Sequence, residues 1–417
     1  QKGSMLYITL LTFVATLGGL LFGYDTAVVN GAEKSLVEFY IYKEQAGNFI
    51  FSDNIATVIS QYRLMMIFVL YIVFAVICGQ IIKLLGKKKG FSISGIILAG
   101  LTIWAIFFLK NPVNLDDASA LKDTVDAVKG FVVASALIGC VIGGAIAGFI
   151  SKSIGRKYGL LVAAVAFFIS AVGAWNPEAF NFFGVLPVYS FVVYRIIGGI
   201  GVGIASMISP MYIAEIAPAN IRGRLVSYNQ FAIIFGMLVI YFVNYFIARQ
   251  GNEEWLVTTG WRWMFFSGAI PAALFFILLF FVPETPRYLV LKDKEDKALK
   301  VLNKIAGEKD APNILKEIKE TLVEHNAPWL SYGFLVIFIG IMLSVFQQFV
   351  GINVVLYYAG NIFRNMGAST DSSLLQTIIV GSVNLLFTIV AILTVDKFGR
   401  KPLMIIGSIG MAISMIA

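Results

Sequence analysis

The chain has 417 residues, 59% of them hydrophobic and 13% charged, with a mean hydropathy of +0.84, where a soluble chain carries about a quarter charged residues. The net charge of +8 sits in short loops between apolar runs rather than in one basic face, so a nucleic-acid partner is excluded. Cys78 and Cys140 lie inside apolar runs and the single histidine, His325, in a polar stretch, so neither a disulfide framework nor a metal centre is expected, and no cofactor.

Eleven apolar segments follow in chain order, near 5–30, 64–82, 91–109, 129–150, 158–175, 186–213, 225–248, 264–282, 332–363, 374–395 and 402–417. Runs of about 18 apolar residues are long enough to cross a hydrocarbon core of about 30 Å. In lipid only helices and closed barrels satisfy their own backbone groups. Barrel strands alternate with period two and these runs do not, so they are predicted to be helices. The first begins at Met5 without a cleavable signal pattern and runs into a longer spanning helix.

Within the first segment, Asp25 follows Gly-Leu-Leu-Phe-Gly-Tyr. A carboxylate inside a spanning helix costs about 2.5–3.5 kcal/mol on insertion scales, which makes it a functional candidate for proton carriage. The alternative places it at the helix end, in wet headgroups. Arg195 is a second charge in an apolar segment, flanked by Tyr194 and Ile196. A guanidinium beside Asp25 lowers its proton affinity and desolvation raises it; sequence alone does not show that the two meet. Gly139, Gly143, Gly144 and Gly148 form small-xxx-small pairs, and Gly199, Gly201 and Gly203 imitate a dinucleotide fingerprint. No strand precedes them, so both sets read as close helix contacts.

Glu215, Arg222 and Arg224 crowd the end of the sixth segment, and Glu284 and Arg287 follow the eighth in Pro-Glu-Thr-Pro-Arg. Acid-plus-base sets at one membrane face suggest ion pairs that break when a gate opens; snorkelling anchors are the plainer alternative. Residues 287–328 are polar, with Leu289, Leu299, Val301, Leu302, Ile305, Ile314, Ile318 and Leu322 at amphipathic spacing, and read as linker helices. Gln347, Gln348 and Asn353 lie in an apolar run with Gly351 between them, and Gln230, Asn229 and Asn384 lie in other segments. Amides donate and accept, so they suit a neutral polyhydroxyl ligand, and Gly351 loosens the helix where such a ligand binds. Phe22, Tyr24, Tyr357 and Tyr358 are candidates to pack on a sugar face. Hydrogen bonding between helices is the alternative role for the amides.

Loop charge sets orientation. With the N-terminus cytoplasmic, the inner loops hold Lys83 and Lys87 to Lys89, then Lys152, Arg156 and Lys157, Arg222 and Arg224, Arg287, and Lys397, Arg400 and Lys401; the outer loops hold Glu33, Glu38, Glu44, Asp53, Asp116, Asp117, Glu178, Glu253 and Glu254. Ile-Gly-Arg-Lys at 154–157 and Phe-Gly-Arg-Lys at 398–401 occupy matching inner loops on either side of the linker, which suggests two similar halves.

These loops, with Pro-Met-Tyr-Ile-Ala-Glu at 210–215, Pro-Ala-Asn-Ile-Arg-Gly-Arg at 218–224, Pro-Glu-Thr-Pro-Arg at 283–287 and Gln-Gln-Phe-Val-Gly-Ile-Asn at 347–353, resemble the sugar porters of the major facilitator superfamily, and most of all bacterial D-xylose:proton symporters. The resemblance implies an all-α membrane protein of two pseudo-symmetric six-helix bundles. In this chain it implies an N-terminal bundle over 1–286, cytoplasmic linker helices over 287–328 and a C-terminal bundle over 329–417, from which the sequence departs by an inserted apolar hairpin at about 50–120 and an incomplete C-terminal bundle. It implies that Gln230, Gln347, Gln348, Asn353 and Asn384 contact the sugar, with Phe22 and Tyr357 beside it. Asp25 would take the proton with Arg195 as its partner, and Glu215, Arg222, Arg156, Glu284, Arg287, Asp396 and Arg400 would form the inner gate network. The expected protein is a monomeric, multi-pass, non-enzymatic importer of a monosaccharide with H+ in a bacterial inner membrane. Its rivals are a passive facilitator, a glucose-selective symporter and a sugar sensor without flux.

Overall fold

The computed structural model describes residues 4–45, 48–111, 113–182, 184–323, 333–367 and 369–416, apart from a few side chains within those spans. Among the described residues, ten helical spans are long and apolar enough to cross a membrane, the ninth of them, Phe334–Asn365, consisting of two consecutive helices. In chain order the helices are α1 (Met5–Tyr40), α2 (Ile55–Leu85), α3 (Lys87–Lys110), α4 (Ala118–Ser153), α5 (Arg156–Trp175), α6 (Pro187–Ile216) and α7 (Arg222–Ala248). Next come α8 (Glu253–Leu279), the short α9 (Pro286–Leu291), α10 (Glu295–Ala306) and α11 (Ala311–Val323), and finally α12 (Phe334–Phe349), α13 (Ile352–Asn365), α14 (Thr370–Phe398) and α15 (Arg400–Ile416).

All eleven apolar segments are helical over most of their described residues, and the differences lie at their ends and, in one segment, at an internal break. Helix α1 continues to Tyr40, well past residue 30, and α4 starts at Ala118, not near 129. Polar first or last turns hide such extensions from a hydropathy reading. Asp117 caps α4, its carboxylate accepting from the backbone N–H groups of Ser119 and Ala120. The predicted segment 332–363 is two helices, broken at Gly351. A two-stranded antiparallel hairpin, β1 (Tyr42–Gln45) with β2 (Asn48–Phe51), pairs Tyr42 with Phe51 where no strand was expected.

The chain divides into two compact units. One comprises residues 1–27, 209–245 and 282–417, the other residues 28–208 and 246–281. In the second unit, α4 and α6 meet backbone to backbone. A Cβ added to Gly139 would lie 2.1 Å from the Ile196 carbonyl oxygen, one on Gly199 1.9 Å from that of Ala136, and one on Gly203 2.4 Å from that of Cys140. Small residues at spacing four therefore bring the helices together, as close membrane packing requires. Trp261 is fully buried in this unit among Phe39, Tyr40, Phe191 and Phe265.

In the first unit, the start of α1 rests on the linker. The Ser4 N–H donates to the Lys304 carbonyl at 3.1 Å, and the Lys304 ammonium sits over the Tyr7 ring. Thr285 caps α9, accepting from the Tyr288 N–H, with Pro286 at the first helical position. Helix α10 buries Val301, Leu302 and Ile305 of the expected apolar stripe together with Ala298, while Leu299 is half-buried.

Candidate functional site

Every candidate sugar-contacting residue falls in the first unit, where α1, α13 and α14 meet α7. A Cβ on Gly23 would meet the Ile233 carbonyl oxygen at 1.8 Å, and one on Gly236 the Leu20 carbonyl oxygen at 2.1 Å. Helix α1 is thus pressed against α7 on either side of Phe22. Asn229 is buried in this contact, its Oδ1 2.6 Å from a Cβ placed on Gly19. Gln230, one position on and about 100° round the helix, is exposed. Farther along α7, the Tyr241 hydroxyl donates to the Leu356 carbonyl on α13 at 3.4 Å, and the Tyr241 ring abuts Gly381 on α14.

The break between α12 and α13 is built by Gly351, whose φ of 80° and ψ of 18° put it in the left-handed region that glycine enters without strain. The freed backbone is satisfied locally: the Gly351 N–H donates to the Gln348 carbonyl at 3.0 Å and the Val354 N–H to the Gly351 carbonyl at 3.0 Å. Irregular backbone at membrane depth is tolerated where it is buried in protein or lines an aqueous cavity. Across the break, Asn353 Nδ2 donates to Gln348 Oε1 at 2.7 Å. Gln347 and Gln348 are exposed, Asn353 and Asn384 half-buried, and Tyr357 buried. The fold therefore brings Gln348 and Asn353 into direct contact and leaves Gln347 and Gln230 open.

Asp25 lies on α1, half-buried, with one carboxylate oxygen shut off from solvent. Phe22, one turn earlier, is half-buried, and its carbonyl accepts from the Thr26 hydroxyl at 2.8 Å. Arg195 belongs to the second unit, where it is fully buried on α6 with its guanidinium 5.2 Å from the centre of the Phe265 ring.

Of the expected gate residues, Glu215, Arg222 and Arg287 line one cavity of about 540 Å³ in the first unit, together with Leu302, Ile305, Ile314 and Ile318 from the linker. Arg222 also donates to the Ala217 carbonyl at 3.4 Å. The Glu284 carboxylate accepts from the Thr285 N–H at 2.9 Å and does not line this cavity. Arg156 belongs to the second unit, where it donates to the Ser151 carbonyl at 3.1 Å. The side chains of Asp396 and Arg400 lie outside the described residues.

Sequence reasoning missed three features. Glu317 and Thr321 join the cavity from α11, a role their place in a mixed-charge stretch does not reveal. In the second unit, Glu33 is not a loop acid but a buried residue of α1, 2.7 Å from Lys129. Glu178, also in that unit, pairs with Arg262 through two bonds of 2.7 and 2.9 Å and accepts from the Tyr40 hydroxyl. Burial pushes the Glu178 carboxyl up, but the Arg262 guanidinium and the Tyr40 hydroxyl outweigh it and hold it below its ordinary value.

Residues 98–417 match the family described as "Sugar (and other) transporter". The chain is 48% identical to the D-xylose-proton symporter of Escherichia coli strain K12 over 425 residues, covering 99% of this chain and 71% of that protein. It is 35% identical to the arabinose-proton symporter of Bacillus subtilis over 421 residues, covering 100% and 71%. A partially occluded, inward-open structure of the E. coli xylose transporter superposes with a TM-score of 0.72 at 46% identity, covering 98% of this chain and 78% of that one.

Proposed function

Because the chain belongs to the sugar transporter family, we propose that it is a proton-coupled symporter that imports a monosaccharide, D-xylose, by alternating access. Its major facilitator fold and spanning helices support a multi-pass membrane protein, and because its relatives are transporters it is read as a transporter and not an enzyme. The observation that carries the coupled reading is Asp25, an ionisable group within a spanning helix and in the same unit as the candidate amides. Support comes from two relatives that are themselves named proton symporters.

In this reading Gln230, Gln347, Gln348, Asn353 and Asn384 exchange hydrogen bonds with sugar hydroxyls, and Phe22 and Tyr357 give the ring an apolar wall. A proton on Asp25 removes a charge from a low-dielectric interior. The cost of that charge differs between inward- and outward-facing states when Arg195 approaches or withdraws, and this difference couples protonation to the conformational change. Glu215, Arg222, Arg156, Glu284, Arg287, Asp396 and Arg400 close the inner side. Residues 1–286 form the N-terminal bundle, 287–328 the cytoplasmic linker and 329–417 the C-terminal bundle. The protein works as a monomer in a bacterial inner membrane, N-terminus cytoplasmic, as the basic inner loops favour.

The test is uptake of D-xylose, L-arabinose and D-glucose into proteoliposomes, with and without an imposed pH gradient. D-Xylose should accumulate above the outside concentration and fall back when a protonophore is added. Asp25→Asn should retain D-xylose binding and lose the accumulation. Uptake indifferent to the protonophore would make the protein a facilitator, binding without flux would make it a sensor, and a preference for D-glucose would replace the substrate.

A further inference from the structure

We propose that the α2–α3 hairpin is a docking element for anionic phospholipid, held by the lysines at its tip. Between Asp53 and Asp116 the sequence has six basic side chains (Arg63, Lys83, Lys87, Lys88, Lys89 and Lys110) and no acid. The positions of these cations follow bilayer dimensions. Arg63 and Lys83 are 20 residues apart on α2, and Lys89 and Lys110 are 21 apart on α3. At 1.5 Å per residue both separations are about 30 Å, the thickness of the hydrocarbon core. Each end of the hairpin therefore reaches a headgroup layer, with Lys87, Lys88 and Lys89 at the tip.

The tip is tightly closed. Gly86, with φ of 78°, is the single residue between the two helices, and a Cβ on Gly90 would come within 2.5 Å of the Ile82 Cα. This closure presents Lys87, Lys88 and Lys89 together, all exposed. Below them the outward faces are apolar and open, with Phe68, Phe91, Ile103 and Phe107 all more than 60% exposed. An exposed apolar column under a cationic head matches the chemistry of acyl chains under a phosphate. The absence of any acid in the hairpin means its own sequence offers those lysines no counter-ion, which favours a bilayer phospholipid over a protein segment of mixed charge.

The test is the phospholipid retained by the purified protein from mixed phosphatidylcholine and phosphatidylglycerol nanodiscs, counted by native mass spectrometry at low and high salt. Each lysine beside an anionic surface multiplies affinity by about five, so three predict a preference for phosphatidylglycerol on the order of a hundredfold at low salt. That preference should shrink as salt rises. Lys87→Gln/Lys88→Gln/Lys89→Gln should bring the two lipids near parity, and Lys87→Arg/Lys88→Arg/Lys89→Arg should keep the preference. Lys297→Gln/Lys300→Gln/Lys309→Gln, removing the same charge from exposed linker positions, should leave it unchanged. Equal retention of the two lipids by the wild type overturns the proposal whether or not any variant inserts correctly. So does an equal loss in the linker variant.

Discussion

The α4–α6 contact in one unit and the Gly351 break in the other use glycine for opposite ends. At Gly139, Gly199 and Gly203 the missing side chain lets two backbones touch, and the result is closed. At Gly351 nothing lies within 4 Å of where a Cβ would stand. There the residue serves its left-handed conformation, and the result is an interrupted helix beside accessible amides. Composition alone does not separate the two uses, since both glycines sit in apolar helical runs. The closed contact confers rigidity, and the break leaves polar groups free to exchange partners with a ligand.

Filling the closed contact should have the largest effect. Gly199→Ala places a methyl 1.9 Å from the Ala136 carbonyl oxygen, and forced overpacking costs about 1–3 kcal/mol. Gly144 lies in the same sequence pattern with nothing within 4 Å of an added Cβ, so Gly144→Ala should stay within about 0.5 kcal/mol of wild type. Thermal unfolding of the two variants in detergent distinguishes them. Equal stabilities would mean that the glycine pattern, and not the particular contact, is what matters.

The spanning helices were legible because bilayer thickness imposes a length and an apolar composition that any reading of hydropathy detects. The ends of α1 and α4 were not, because Glu33 looks like a loop charge until it meets Lys129 at 2.7 Å, and Lys122, Asp123 and Asp126 make the first turns of α4 polar. The strands Tyr42–Gln45 and Asn48–Phe51, four residues each, are too short to stand out against helical neighbours. Among the site residues, Gly351 and the amides beside it were readable from residue type, since polar groups in an apolar run need a reason. Two facts were not readable: which amide is already bonded, and that Glu317 and Thr321 line the same cavity as Glu215. The first depends on how the chain turns at Gly351, which lets residues five apart bond across the break, and the second on packing between segments distant in sequence.

The open region should respond to substitution more gently, and unevenly. Gln347 is exposed, whereas Gln348 accepts from Asn353. Losing one neutral hydrogen bond costs about 0.5–1.5 kcal/mol. Gln347→Ala should therefore weaken D-xylose binding by roughly two- to tenfold, measured by calorimetry, with no change in unfolding temperature. Gln348→Ala should weaken binding and also lower the unfolding temperature, because Asn353 loses its acceptor. If Gln347→Ala destabilises the protein without touching affinity, the residue belongs to the scaffold and the division between a closed and an open region fails there.

The smallest expected effect lies at Glu178, in the closed unit. The folded protein holds this carboxyl below its ordinary value, so folding favours its ionised form. The stability it contributes is complete above the usual carboxylate range and is lost as pH falls through the lower folded value. Glu178 is 38% exposed and Arg262 15%, which limits the pair to about 0.2–1 kcal/mol, as for other solvent-screened ion pairs. Unfolding temperature should therefore fall slightly more steeply on acidification in wild type than in Arg262→Gln, and the two proteins should converge in strong acid. Parallel profiles would show that the pair stabilises only through packing of the arginine over Phe39 and Trp261, whose ring centres lie 5.1 and 4.6 Å from the guanidinium.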